Sequence, residues 1–298
     1  MSRPGIAVRG LRALTARGVG YEPQPIGPQF RSHEAYGYFV DLRAKTKADV
    51  PLEAHFPASL AQLALGWWER AIAGDTDAGA AFDIVVGRIH ATAVSTDGRL
   101  LWPYDVDLPK YRISGRWFSA MAQGQMASVL VRAAIRGDAA AADAARAAVV
   151  DLVAGEGPLR RLASEGPILQ EAPSFPPSDI LNGWLYALWG LHDVAVGLGE
   201  PDAAQAWQAG VEAVRGRVAL YDTGWWSLYS LLPGRVADIA HPFYHRLHIT
   251  QLRATARAVG AEDLDRVAAR WDAYDSARGR RKALGLKAVG ALTRLHRL

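Results

Sequence analysis

Three sets of side chains in this sequence have types and spacings that could do chemistry. Asp105 and Asp107 form an Asp-x-Asp, a pattern that can hold a divalent cation, although two acids between prolines are more often turn chemistry. His245 and His248 share a face wherever their segment is helical and could ligate a metal. No third ligand lies within sequence reach, so a satisfied structural pair is the better reading. Ten tryptophans form the third set. Trp67, Trp68, Trp184, Trp189, Trp207 and Trp271 lie on helical stretches and read as core. Trp102, Trp117, Trp225 and Trp226 lie in or beside loops, where an indole either stacks on a sugar ring or plugs the loop onto the core. Phosphate-binding Gly-Lys-Ser/Thr, GxGxxG, HExxH and GxSxG patterns are all missing. With no cysteine, thiol nucleophiles, disulfide scaffolds and cysteine-ligated zinc are excluded.

The elements that must position such groups are mainly helical. From Pro57, Leu60, Leu63, Ala64, Trp67 and Trp68 recur at three- and four-residue spacing, with Gly74 as a stop. Phe82, Val85, Val86, Ile89 and Ala93 predict a second helix. Residues 98–116 break the pattern and read as a β-hairpin or long loop. Helical texture returns at 118–136, 139–154, 178–198, 202–218, 246–259 and 262–276, in pairs joined by short turns. Helical hairpins in succession with few strands predict an all-α fold, an array or a closed α/α toroid. Long loops are expected at 165–177 and 221–244, the usual place for chemistry on a helical scaffold. Ahead of the helices, residues 21–30 read as an extended entry and 37–42 as a short strand.

The 298 residues are 50% hydrophobic, enough for a sizeable core, and no apolar run approaches the roughly 20 residues of a membrane-spanning helix. Charge is laid out unevenly. Residues 1–21 carry four arginines and no acid, and 276–298 carry seven basic residues and no acid. Out of an overall +4, the body between them is therefore −7. An acidic body argues against nucleic-acid binding. The expected organisation is a basic extension (1–21), one helical domain (22–276) and a basic amphipathic tail (277–298). In the tail, Leu284, Ala288, Ala291, Leu295 and Leu298 form one stripe, which suits either packing on the body or contact with an anionic membrane surface.

Four segments resemble the C-terminal catalytic domain of the glucuronyl C5-epimerases, which convert D-glucuronate to L-iduronate within polysaccharides. They are 116–132 (RWFSAMAQGQMASVLVR), 177–193 (PSDILNGWLYALWGLHD), 220–229 (LYDTGWWSLY) and 244–252 (YHRLHITQL), in matching order and spacing. The resemblance implies an α/α toroid and a uronate-containing glycan as substrate. The C5 proton leaves one face of the ring and another returns to the opposite face, so two acid/base groups are needed, with something to offset charge growing on the carboxylate. Carried over through the motifs, the catalytic residues are Glu171, Tyr229 and Tyr244. Gln123, Gln125, Asn182, Tyr221, His245 and Arg246, within the motifs, and Arg235, in the loop between two of them, are the candidate substrate-binding residues. The family pattern has Tyr where this chain has Ala172, and Arg where it has Leu232. A tyrosine base needs its phenol brought down by about three pH units, roughly 4 kcal/mol, with His245 and Arg246 as expected contributors. Glu171 facing an anionic sugar should have a raised pKa and donate a proton.

Neither a metal nor an organic cofactor is required by this chemistry. Two other readings stay open: a polysaccharide lyase, which shares C5 proton abstraction, and a non-catalytic glycan-binding protein, suggested by Ala172 and Leu232. The first 20 residues lack a continuous apolar stretch, which argues against a cleaved secretory signal and for a cytoplasmic protein. The basic ends admit peripheral contact with the inner membrane face. A homodimer is also compatible with the sequence.

Overall fold

Prolines in first turns and left-handed glycines at last turns mark out the helices. In the computed structural model, residues 51–234 and 236–293 are described, so the expectations for the N-terminal extension, the 37–42 strand, Arg235, Leu295 and Leu298 lie outside the described residues. Among the described residues there are nine α-helices and six short strands. They run α1 (Pro57–Ile72), α2 (Ala78–Thr92), β1 (Val94–Thr96), β2 (Arg99–Leu101), β3 (Tyr104–Asp105), β4 (Arg116–Trp117), α3 (Ala120–Ile135), α4 (Ala141–Val153), β5 (Arg160–Ala163), β6 (Gly166–Leu169), α5 (Leu181–Leu198), α6 (Pro201–Arg217), α7 (Pro242–Val259), α8 (Glu262–Tyr274) and α9 (Ala277–Thr293). Pro57, Pro201 and Pro242 stand in first turns, where a missing N–H costs no helical hydrogen bond. Gly199 and Gly260, at φ +74° and +69°, end α5 and α7 in the left-handed conformation glycine adopts freely.

The fold is mostly helical. Consecutive helices pair, α1 with α2, α3 with α4, α5 with α6 and α7 with α8, while α1, α3, α5 and α7 also pack successively on one another. Helices α3 and α5 make the most extensive of these contacts. A Cβ on Gly124 would lie 2.6 Å from the Ala187 Cα, and one on Gly190 would overlap the backbone of Gly124, so the two helices meet backbone to backbone. Further along, Arg132 of α3 and Asp193 of α5 form a fully buried ion pair at 2.8 Å. Trp184 and Trp189 fill the core beside it.

Several expectations are corrected. The loop expected at 165–177 is partly an antiparallel hairpin, β5 pairing with β6 from Arg160↔Leu169 to Ala163↔Gly166. Its Gly-Pro reads as a breaker in sequence, but burial of Ile168 and Leu169 holds the strand. The loop expected to reach residue 244 ends earlier. His241 caps α7 by accepting from the Phe243 N–H and Pro242 opens the helix, so Tyr244, His245 and Arg246 are helical. The hairpin expected at 98–116 is two small ribbons, β1–β2 and β3–β4, and the first begins earlier, at Val94. Within it Asp105 pairs with Arg116 and Asp107 accepts from the Gly115 N–H, which is turn chemistry.

Of the four loop tryptophans, Trp102, Trp117 and Trp226 are buried. Their indoles donate to the carbonyls of Ile89, Val106 and Ala240, which ties loops to the core. In α9 the packed face is Gly279, Ala283 and Lys287, one residue round from the predicted stripe. A Cβ on Gly279 would crowd the Trp226 ring at 3.0 Å, Ala283 is fully buried, and Ala288 is exposed. Small residues on that face let α9 seat against Trp226.

Candidate active site

Glu171 leaves the end of the β5–β6 hairpin just before α5. Its neighbours are pinned on both sides: the Gln170 N–H donates to Leu159, the Ala120 N–H donates to the Gln170 carbonyl, and the Ala172 carbonyl accepts from Ser174. The carboxylate lies over the first turn of α5, where Gly183 leaves room for it; a Cβ at 183 would overlap the Glu171 side chain. The Tyr229 hydroxyl donates to Oε1 at 3.3 Å, and the Asn182 Nδ2 reaches Oε2 at 3.5 Å. Burial pushes the Glu171 carboxyl up to about 7, against the smaller opposing effects of the Tyr229 hydrogen bond and the Lys110 charge.

Tyr229 sits in the α6–α7 connection and is held by its backbone. Its N–H donates to the Asp238 carbonyl at 2.6 Å, and its own carbonyl accepts from the Leu181 N–H, satisfying one of the free donors at the start of α5. Tyr244, in the first turn of α7, meets the Tyr229 ring edge-on with centroids 4.8 Å apart. Burial, then the Glu171 charge, drives the Tyr244 phenol up to about 12, and a hydrogen bond with Tyr229 offsets part of this. Tyr229 is pushed well above the usual phenol range by burial and by Glu171. The expectation of a lowered phenol is thus reversed.

Two further residues reach the same place from the β3–β4 connection. Tyr111 ends the 3-10 turn Pro109–Tyr111 and packs on the apolar cluster that contains Ala172, Ile180 and Tyr104. Its phenol is raised by burial and by the charges of Glu171, Asp238 and Tyr244. Lys110 places its ammonium 2.7 Å from Asp238 Oδ2 and 5.5 Å from the centre of the Tyr229 ring. Lys287 of α9 approaches from the other side, 3.0 Å from Asp238 Oδ1 and 5.6 Å from the same ring. Asp238 is buried, also accepts from the Ser230 hydroxyl at 2.6 Å, and its carboxyl lies below the usual range because the lysine charges outweigh burial. Glu171, Tyr229, Tyr244, Tyr111, Lys110 and Lys287 are all half-buried, so each keeps part of its surface open to a ligand.

The residues expected from the sequence therefore separate into two groups. Glu171, Tyr229, Tyr244 and Asn182 converge. Gln123 does not: it is buried as a bracket, accepting from the Trp102 N–H and donating to the Leu100 and Ala148 carbonyls. Gln125 is buried against Gln62. The Tyr221 hydroxyl donates to the Asp179 carbonyl inside the core. His245 is fully buried, stacked on Trp226 at 3.8 Å between Ser227 and the Trp271 carbonyl, and Ser227 also bridges it to His248. Arg246 is exposed and turned toward Asp275.

Lys110, Tyr111, Asp238 and Lys287 carry no signal in the sequence, because they lie outside the four motif segments and Lys287 reads as part of a basic tail. Among the described residues, no group of three or more His, Asp or Glu side chains converges as a metal site would, and no helix is long and apolar enough to cross a membrane.

A D-glucuronyl C5-epimerase of Caenorhabditis elegans is 32% identical over 176 residues, a stretch covering 53% of this chain and 29% of that protein. The chain thus matches less than a third of that relative's length. The sequence profile of the D-glucuronyl C5-epimerase C-terminus matches residues 96–273, more than half of the chain and a span that takes in Glu171, Tyr229 and Tyr244. The chain belongs to the D-glucuronyl C5-epimerase C-terminus family.

Proposed function

We propose that the protein inverts C5 of a D-glucuronate residue in a glycan, and that its helical pairs form an arc of an α/α toroid around this chemistry. The carrying observation is one connected set of groups: Glu171 bonded to the Tyr229 hydroxyl at 3.3 Å, with Tyr244 against Tyr229. A carboxyl raised to about 7 is partly ionised at neutral pH, so Glu171 can serve as the general base in place of the proton-donor role expected from the sequence. Phenols raised above their usual range stay protonated at neutral pH, so each carries a proton that could be delivered.

In the glucuronate-to-iduronate direction, the Glu171 carboxylate takes the C5 proton. The C5–H electron pair moves into the sugar carboxylate, and a Tyr244 O–H delivers its proton to the opposite face. Glu171 is then protonated and Tyr244 ionised, an imbalance that relaxes by proton transfer through Tyr229, which touches both. The reverse reaction exchanges the two roles.

The expected result of incubating the protein with glucuronate-containing oligosaccharides in heavy water is deuterium at C5, accompanied by iduronate signals in the NMR spectrum. Unsaturated uronate ends would assign a lyase instead. Absence of exchange across the panel would overturn the reading.

A further inference from the structure

Asp238 holds two ammonium groups at once. Lys110 and Lys287 lie 2.7 and 3.0 Å from its two oxygens, and Ser230 adds a third donor at 2.6 Å. A single carboxylate cannot neutralise two lysines, so among the described residues this cluster carries one positive charge in excess. Each ammonium has three donors and spends one on Asp238. Their side chains are 34% and 29% exposed, so part of each remains open to a ligand. Both ammoniums also flank the ring of Tyr229, whose hydroxyl bonds Glu171. The excess charge is therefore adjacent to the proton-transfer groups, and Lys110 is close enough to act on the Glu171 carboxyl.

We infer that Lys110 and Lys287, clamped by Asp238, form the binding site for the carboxylate of the substrate uronate, and that α9, which lies beyond the family-matched residues 96–273, is required to complete it. This rests on the proposed C5 chemistry. Removing the C5 proton pushes a second unit of negative charge onto the sugar carboxylate, so a cation there binds the transition state more strongly than the ground state. The pair supplies the charge that Leu232 does not. Asp238 keeps the two lysines near each other without a ligand, so less side-chain ordering remains for the binding step.

The test is calorimetric binding of a glucuronate-terminated oligosaccharide, and of the same oligosaccharide with its carboxyl reduced to hydroxymethyl, to wild type, Lys110→Met, Lys287→Met and Lys287→Arg. C5 deuterium exchange and melting temperature are followed in parallel. Wild type is expected to bind the carboxylate form at least tenfold more tightly than the reduced form. Each Met variant should lose most of that ratio and show a larger fall in kcat than a rise in KM. Lys287→Arg should retain the ratio, separating lost charge from lost packing. Equal ratios in wild type and both Met variants would overturn the inference. So would intact exchange in folded Met variants, which would leave the epimerase reading standing. Carboxylate-selective binding that depends on both lysines, without C5 exchange, would support the inference and remove the epimerase reading.

Discussion

Glu171 occupies the space in which any side chain at position 183 would sit. Gly183 belongs to the LNG start of α5, and a Cβ there would collide with the Glu171 carboxylate and with its own Cβ. The glycine is thus a positioning residue for the carboxyl, and the helix start acts as a seat. Gly183→Ala should displace the carboxylate and lower the C5 exchange rate by about a hundredfold, the scale of a misplacement near 1 Å. Glycine at this helical position is otherwise unfavourable, and the new methyl offsets part of the strain, so melting temperature should move far less than activity. Parallel rate and melting measurements check this.

In the proposed mechanism Glu171 sets the pH dependence of turnover. As a base it must be ionised, and its carboxyl lies near 7, so kcat/KM should rise as pH increases through about 7 and level off above it. Glu171→Gln should lower the rate by about 10²–10⁴ and abolish this limb. A profile flat from pH 5 to 8 would remove Glu171 from the base role.

The same carboxyl is costly to the fold at high pH. Its folded pKa, near 7, is raised above the unfolded value, so the folded state binds the extra proton between them. The stability linked to that proton is fully present below the unfolded carboxyl range and is lost as pH rises through about 7. Glu171→Gln carries no such charge. Its stability relative to wild type should therefore climb by about 3 kcal/mol from pH 4 to pH 8, then stay constant. Urea titrations of both proteins across that range provide the measurement.

Tyrosine hydroxyls around the carboxyl should differ in weight. Tyr244→Phe removes the proposed proton donor and should lower exchange by about 10²–10⁴. Tyr111 shares a cluster with Ala172, and its phenol feels the charges of Glu171 and Tyr244. Tyr111→Phe should reduce exchange less, by no more than about tenfold, because its hydroxyl acts on these groups through charge and lies outside the proposed proton transfer. Unchanged exchange in Tyr244→Phe would count against the assignment.

Stability rests heavily on the α3–α5 contact. Asp193→Asn removes the charge opposite the fully buried Arg132 and should destabilise the protein by about 3–5 kcal/mol. C5 exchange per folded molecule should be unaffected, because the pair touches none of Glu171, Tyr229 or Tyr244. Chemical denaturation alongside active-site titration separates the two effects.

What the sequence by itself determined is local. Three- and four-residue periodicity, first-turn prolines and terminal glycines were enough to place the helical pairs, since each signal acts within one or two turns. The convergence of Glu171, Tyr229 and Tyr244 was legible because each lies within or beside a short motif. The rest depended on groups far apart in the chain. Lys110 meets Asp238 across 128 residues and Lys287 meets it across 49, and neither distance leaves a periodic trace. Tertiary structure also decided which motif residues face the site: Gln123, Tyr221 and His245 spend their polar atoms on core partners. Proton affinity was decided there as well, because burial, which no residue type specifies, pushes both the Glu171 carboxyl and the Tyr244 phenol upward.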